Sequence, residues 1–172
     1  MANKKTVFST DWFSIESEEN LGLGGKPFYS LVTPDGIAVL AYTDEKKIVI
    51  IRQFRPALDG YTLEFPAGQI SEGEDPASTA VRELYEETGY ICKELIPLSP
   101  SLTIMGNRSN ARMFAFLGFG ASRDQNFIPR EDIEVLLVTF DELKILILEG
   151  KFSMLAGAAL VALAELHSHI LQ

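Results

Sequence analysis

A chain of 172 residues with 47% hydrophobic content is long enough for one full domain and a sizeable core, with room for a small extension. Its 24 acidic and 15 basic side chains give a net charge of −9. That balance argues against sequence-independent binding to nucleic acid, and an acidic protein that handles phosphates needs metal ions or local arginines to make the contact. The single cysteine, Cys92, excludes an internal disulfide and fits a reducing compartment.

The opening segment, MANKKTVFST, is polar and has no apolar run of the kind an export signal needs. The longest apolar stretch, residues 154–163, is too short to span a bilayer. The expectation is a soluble cytoplasmic protein with no membrane partner. Residues 8–16 and 26–32 carry the aromatic and β-branched residues of strands, with a turn at 20–25 (NLGLGG) between them. The tight-turn sequence Thr33-Pro34-Asp35-Gly36 predicts a hairpin between residues 28–32 and 37–42. After a polar turn at 43–46, residues 47–53 (KIVIIRQ) form a near-continuous apolar run, as in a strand buried on both faces.

Asp75 and Pro76 make a helix start, with the acid at the N-cap and proline at N1, and Gly89 supplies the stop. Within this helix Ala77, Ala80, Val81, Leu84 and Thr88 define a packing stripe, and Glu83, Glu86 and Glu87 a neighbouring acidic one. Residues 91–98, 111–119 and 136–140 read as strands, and 141–149 and 152–171 as helices. The last is apolar almost all round and is therefore expected to be buried. Strands before and after a central helix make this a mixed α/β chain.

Residues 68–90, GQISEGEDPASTAVRELYEETGY, hold one basic side chain, Arg82, among Glu72, Glu74, Asp75, Glu83, Glu86 and Glu87. Crowding like charges on a helix is unfavourable by about 0.2–0.5 kcal/mol per i,i+4 pair. A divalent cation between the carboxylates would reverse that cost.

Gly68, five residues, Glu74, seven residues, then Arg82-Glu83-Leu84-Tyr85-Glu86-Glu87-Thr88-Gly89-Tyr90 resembles the complete Nudix box. Upstream, Arg52-Gln53-Phe54-Arg55-Pro56 and Leu63-Glu64-Phe65-Pro66-Ala67-Gly68 resemble the ADP-ribose pyrophosphatase branch. Downstream, Glu131-Asp132-Ile133-Glu134-Val135 and the two terminal helices do so too. The resemblance covers roughly residues 40–172. It implies an α/β/α sandwich with a mixed sheet over residues 44–172. Residues 1–43 would be a small N-terminal β extension that dimerises.

The resemblance also implies hydrolysis, with Mg²⁺ or Mn²⁺, of the pyrophosphate bond of a nucleoside diphosphate-sugar such as ADP-ribose, giving AMP and ribose 5-phosphate. Glu83 and Glu87 are the implied first metal ligands, with Glu86 beside them and the Ala67 carbonyl completing the site. Arg82 would orient the carboxylates, and Glu74 would anchor the loop. Glu131 and Glu134 are the implied pair from which a general base comes.

Arg52 and Arg55 read either as surface bases or as a clamp on the substrate's phosphates or terminal ribose, a task that suits arginine's fork. Glu64 either hydrogen-bonds the nucleoside or is a strand-end acid. Trp12, Phe28 and Tyr29 either stack on a base across a dimer interface or pack in a core. His167 and His169, two residues apart, are given no role. Residues 100–112, PSLTIMGNRSNAR, depart from the branch, many of whose members carry Ser-Pro-Gly and then an acid here. Asn107 and Arg108 would then contact a different sugar or phosphate, or only order the loop. The alternatives are a non-catalytic Nudix-fold sensor of a nucleotide-sugar, and a Nudix enzyme acting on GDP-mannose, NADH or a nucleoside triphosphate.

Overall fold

The computed structural model describes residues 4–19, 21 and 23–170. Three antiparallel strands, β1 (Lys4–Ser9), β2 (Ser14–Glu18) and β3 (Phe28–Val32), form a small sheet in sequence order. Among the described residues nine further strands form the main sheet. Its spine runs β10 (Leu102–Thr103), β11 (Arg112–Arg123), β4 (Gly36–Thr43), β5 (Ile48–Arg55) and β12 (Ile133–Val138). The β4–β11 pair is parallel and the others in the spine are antiparallel, so the sheet is mixed.

The strands β4 and β5 pair only near their shared turn, through Ala41–Val49 and Tyr42–Ile48. Beyond that they diverge. Into the gap come β6 (Gly60–Glu64), paired with β5, and β7 (Ala67–Gln69), paired with β4. The wedge is held by the Val39 N–H donating to the Pro66 carbonyl (2.9 Å). Two short strands, β8 (Tyr90–Ile91) and β9 (Glu94–Pro97), pair with β11.

The helix α1 (Pro76–Thr88) packs on one face of the sheet, where Ala80 and Leu84 meet Ile37, Val39, Val49 and Phe116. On the other face α2 (Phe140–Leu148) and α3 (Leu155–Ile170) cover Leu40, Ile48, Ile50, Ala115 and Leu117, with Phe152 against Phe65 at a ring separation of 5.0 Å. The result is the expected α/β/α sandwich. Asp75 caps α1 by accepting the N–H groups of Ala77 (3.0 Å) and Ser78 (3.1 Å), and a capping box between Thr139 and Glu142 starts α2.

Several expectations are corrected. Residues 8–16 are not one strand, because the Thr10 hydroxyl accepts the N–H groups of Trp12 and Phe13 (both 3.1 Å) and turns the chain between β1 and β2. The hairpin between residues 28–32 and 37–42 does not form. Instead Asp35 Oδ1 accepts the Arg112 N–H (2.8 Å) and the Asn110 side chain accepts the Thr33 N–H (3.3 Å), so the turn sequence carries the chain from one sheet into the other. The strand at residues 36–43, read as part of the extension, is central to the main sheet. Residues 91–98 break into β8 and β9, and the strand expected at 136–140 begins at Ile133, with Phe140 opening α2.

The last helix is not buried all round, since Leu155 is 84% exposed and Leu166 60%. Nor does α1 bury the expected stripe. Ala77 and Val81 are exposed, and Thr79, Ala80, Leu84, Glu87 and Thr88 are buried, so the packed face is turned toward the acids. Asn20 and Gly22 of the expected turn, and Leu171 at the expected helix end, lie outside the described residues. No helix among the described residues is long and apolar enough to cross a membrane.

Candidate active site

The acids of α1 meet the mouth of the β4–β5 wedge. Glu87 is 7% exposed, and its Oε2 accepts the Ala67 N–H (3.0 Å). Glu83 reaches back against the Gly68 backbone so closely that a Cβ built on that glycine would collide with its carboxyl group. A side chain at position 68 would therefore displace Glu83, which is a physical reason for glycine there.

One arginine orders the remaining acids. Arg82 donates from Nε to Glu74 (2.9 Å), from Nη2 to Glu74 (3.0 Å), and from Nη1 to both Glu83 (2.7 Å) and Glu86 (3.1 Å). The Ser71 N–H also donates to Glu74 (3.4 Å), so Glu74 joins the loop to the helix. Its hydrogen bonds to Arg82 hold the Glu74 carboxyl at about 2, well below its ordinary 4.5, and raise the Arg82 guanidinium further.

A second arginine stands on β5. Arg55 donates from Nε and Nη2 to the two oxygens of Glu64 (2.7 and 2.6 Å), and Thr62 donates to the same carboxylate. Burial raises the Glu64 pKa, but these bonds outweigh it and the net shift is downward. Glu64 is 5% exposed and committed to Arg55, so its role here is to aim that guanidinium. Val49 of the same strand packs beneath α1, and side chains alternate along a strand, so Arg55 lies on the α1 side of the sheet.

The expected pairing of Arg52 with Arg55 is not seen. Arg52 and Glu134 are register partners on β5 and β12 and form an ion pair of 3.0 Å. Their neighbours along the strands, Ile50 and Leu136, pack into the core beneath α2 and α3. Side chains alternate along a strand, so Arg52 and Glu134 lie across the sheet from the acids of α1. Arg52 also stacks 3.9 Å over the Tyr61 ring. Glu131 lines the same groove from the connecting loop, with Phe54, Tyr61 and Asp132.

Arg108 is likewise removed from the acids. Its guanidinium lies 4.7 Å over Phe28 and donates to the Tyr29 carbonyl (3.2 Å), so it ties residues 105–112 to the small sheet. Trp12 is 73% exposed at the β1–β2 turn. His167 has no assigned contact at its Nδ1, and the side chain of His169 lies outside the described residues.

Sequence reasoning passed over Arg130. Its Nε and Nη2 donate to Asp132 (3.0 and 2.8 Å), Gln53 donates to the same carboxylate (3.3 Å), and its charge is felt at both Glu87 and Glu83. As the only base in residues 124–134 it was recoverable in principle.

The chemistry of this donor set fits a hard divalent cation. Burial, opposed by the Ala67 N–H and reinforced by Glu83, pushes the Glu87 carboxyl up to about 7 from its ordinary 4.5. A nearby cation would remove that penalty. Glu83 and Glu87 with the Ala67 carbonyl offer oxygen ligands only, the preference of Mg²⁺, which fills its remaining positions with water and substrate phosphate. Among the described residues no three carboxylate, imidazole or thiol groups form a complete cage. Arg82 holds Glu83 and Glu86 instead.

Two outcomes follow from these pairings. The Glu74 carboxyl is lower in the folded protein than in the unfolded chain, so it stabilises fully above its ordinary 4.5, and that stability is lost as pH falls toward 2. Glu74→Gln should therefore flatten the acid limb of a stability-against-pH curve between pH 5 and 2, and an unchanged limb would show the pairing to be inert. Glu87→Gln removes a buried charge while keeping an acceptor for the Ala67 N–H. Without metal at pH 8 it should stabilise the protein by on the order of 1–3 kcal/mol in urea denaturation with a chelator present. Destabilisation would contradict the burial argument.

Comparison with known proteins accords with this geometry. Residues 32–157 match the model of the NUDIX domain. The ADP-ribose pyrophosphatase of Bacillus subtilis (strain 168) is 48% identical over 73 residues, 42% of this chain and 40% of that protein. The methanol dehydrogenase activator of Bacillus methanolicus is 36% identical over 112 residues, 63% of this chain and 60% of that protein. The chain thus spans about half the length of the curated relatives it matches. A crystal structure of an ADP compounds hydrolase superposes with a TM-score of 0.76, covering 95% of this chain and 90% of that one at 19% identity, a likeness of fold. Proteins of this kind generally use divalent metal ions. The chain belongs to the Nudix family.

Proposed function

We propose that this protein hydrolyses the pyrophosphate bond of a nucleoside diphosphate-sugar such as ADP-ribose, releasing AMP and ribose 5-phosphate, with Mg²⁺ or Mn²⁺ as its cofactor. The observation that carries the reading is the buried Glu87 beside Glu83 at the Ala67–Gly68 strand, with the Arg55 fork on the same side of the sheet. Similarity to an ADP-ribose pyrophosphatase supports the substrate class.

A divalent cation bound here would neutralise the diphosphate and lower the pKa of an attacking water. Glu83 and Glu87 would hold it, with Glu86 and the Ala67 carbonyl at its margin. Arg82 ties Glu83 and Glu86 together through one nitrogen, keeping both carboxylates on one side of α1. Arg55, fixed by Glu64, presents its unused Nη1 to a phosphate oxygen. Of the two acids expected to supply the general base, Glu134 is held by Arg52 across the sheet and Glu131 lines that same groove, so neither faces the acids of α1 in this structure. In this scheme a water attacks phosphorus and gives up its proton to solvent, and the bond from phosphorus to the bridging oxygen breaks.

Incubation with Mg²⁺ and a panel of ADP-ribose, ADP-glucose, GDP-mannose, NADH and nucleoside triphosphates should show turnover of a diphosphate-linked sugar. Glu83→Gln should lower kcat by 10²-fold or more without loss of folding. No turnover of any diphosphate-linked compound would refute the reading.

We also propose a homodimer. The small sheet exposes Phe8, Trp12 and Tyr29, each at least half accessible, which is apolar surface that a second copy would cover. Sedimentation should give a dimer mass, and Trp12→Ala should weaken association; a monomer at micromolar concentration would rule this out.

A further inference from the structure

We propose that Arg130 is a substrate-contacting residue that holds the diphosphate together with Arg55. This rests on the reading of the site as one for a nucleoside diphosphate.

The loop that carries Arg130 is fastened at both ends. At its start, Tyr85 of α1 donates to Asp124 (3.1 Å), the Asp124 N–H donates to the Gly89 carbonyl (2.9 Å), and Phe127 meets the Tyr85 ring edge-on at 5.5 Å. Gly89 has a φ of +73°, and a Cβ there would run into the Phe127 ring, so the helix stop is also the seat of this loop. At its end, Asp132 accepts from both Arg130 and Gln53 of β5. Gln53 stands on the same side of the sheet as Arg55, because the two are two positions apart along one strand.

Arg130 is thereby held on the α1 side, with its charge directed at Glu83 and Glu87. Two of its nitrogens are committed to Asp132, and among the described residues Nη1 has no acceptor. The construction repeats that of Arg55, whose Nε and Nη2 are taken by Glu64. Each guanidinium is locked by one carboxylate and offers a free donor near the metal-binding acids. Two such donors beside one pair of carboxylates suit a ligand with two phosphates better than one with a single phosphate. The carboxylates alone would repel either.

Arg130 has a second, opposite consequence. A fixed positive charge beside Glu83 and Glu87 weakens cation binding until an anionic substrate arrives, so metal and nucleotide bind more favourably together than apart.

The test uses the full chain with ADP plus Mg²⁺ as the diphosphate probe, and Mn²⁺ alone as the metal probe. Arg130→Gln should weaken ADP binding in calorimetry by about tenfold or more, while Mn²⁺ binding without nucleotide tightens by about two- to fivefold. Arg130→Lys, which keeps the charge and loses the fork, should leave Mn²⁺ affinity near that of the wild type and weaken ADP to an intermediate degree. A residue that only ordered the loop would not tighten Mn²⁺ when removed. ADP affinity of Arg130→Gln within twofold of the wild type, unchanged or weaker Mn²⁺ binding, or failure of the wild type to bind ADP would each overturn the proposal. If ADP binds through Arg130 but no diphosphate compound is turned over, the hydrolase reading fails and the contact stands.

Discussion

Glu87 lies in the buried face of α1, where an ionised carboxylate is costly unless it is paired and hydrogen-bonded. The Ala67 N–H supplies one partner, and that N–H is available because β7 enters the gap between β4 and β5. The gap exists because the two strands stop pairing two residue pairs beyond their turn. The divergence of the sheet, the entry of residues 60–69, the glycine at 68 and the rotation of α1 toward its acids all serve one arrangement. It brings a carboxylate that is unfavourable alone to the place where a cation would relieve it. A conventional amphipathic helix would have buried Ala77 and Val81, and the chain leaves both exposed.

Around this acid centre three guanidiniums are fastened by carboxylates: Arg82 by Glu74, Glu83 and Glu86, Arg55 by Glu64, and Arg130 by Asp132. A protein with a net charge of −9 does not attract a diphosphate by its overall field. Pre-aimed arginines answer that difficulty locally. Each loses little conformational freedom on meeting the ligand because its rotamer is already fixed, and each remains charged at any working pH.

The parts of this design that depend on neighbours in sequence were legible there. The Asp75 cap, the Gly89 stop, the spacing from Gly68 to Glu87 and the reach of Arg82 to Glu86 are all local, and local geometry is a property of a helix and its ends. What depends on strand register was not. The motif RQFRP places Arg52 and Arg55 three apart, which sends them to opposite faces of a strand, but only the packing of Ile50 and Leu136 shows which face holds the acids. Thr33-Pro34-Asp35-Gly36 has the composition of a hairpin turn, and the bonds that override it come from Asn110 and Arg112, some 77 residues away. Glu64 looked like a candidate to read a nucleoside because its bidentate commitment to Arg55 needs the β5–β6 register to be seen.

The departure of residues 100–112 from the family pattern also has a structural meaning. Leu31 and Arg108 are joined by an N–H to carbonyl bond of 2.7 Å, the Asn110 N–H donates to the Leu31 carbonyl (3.4 Å), and Leu31 forms a parallel bridge with Ser109. Arg108 adds its stack on Phe28 and its bond to the Tyr29 carbonyl. The segment therefore extends the edge of the small sheet and fixes it to the main one through Asp35 and Arg112. A loop committed to this task cannot also be free to carry an acid into the substrate site.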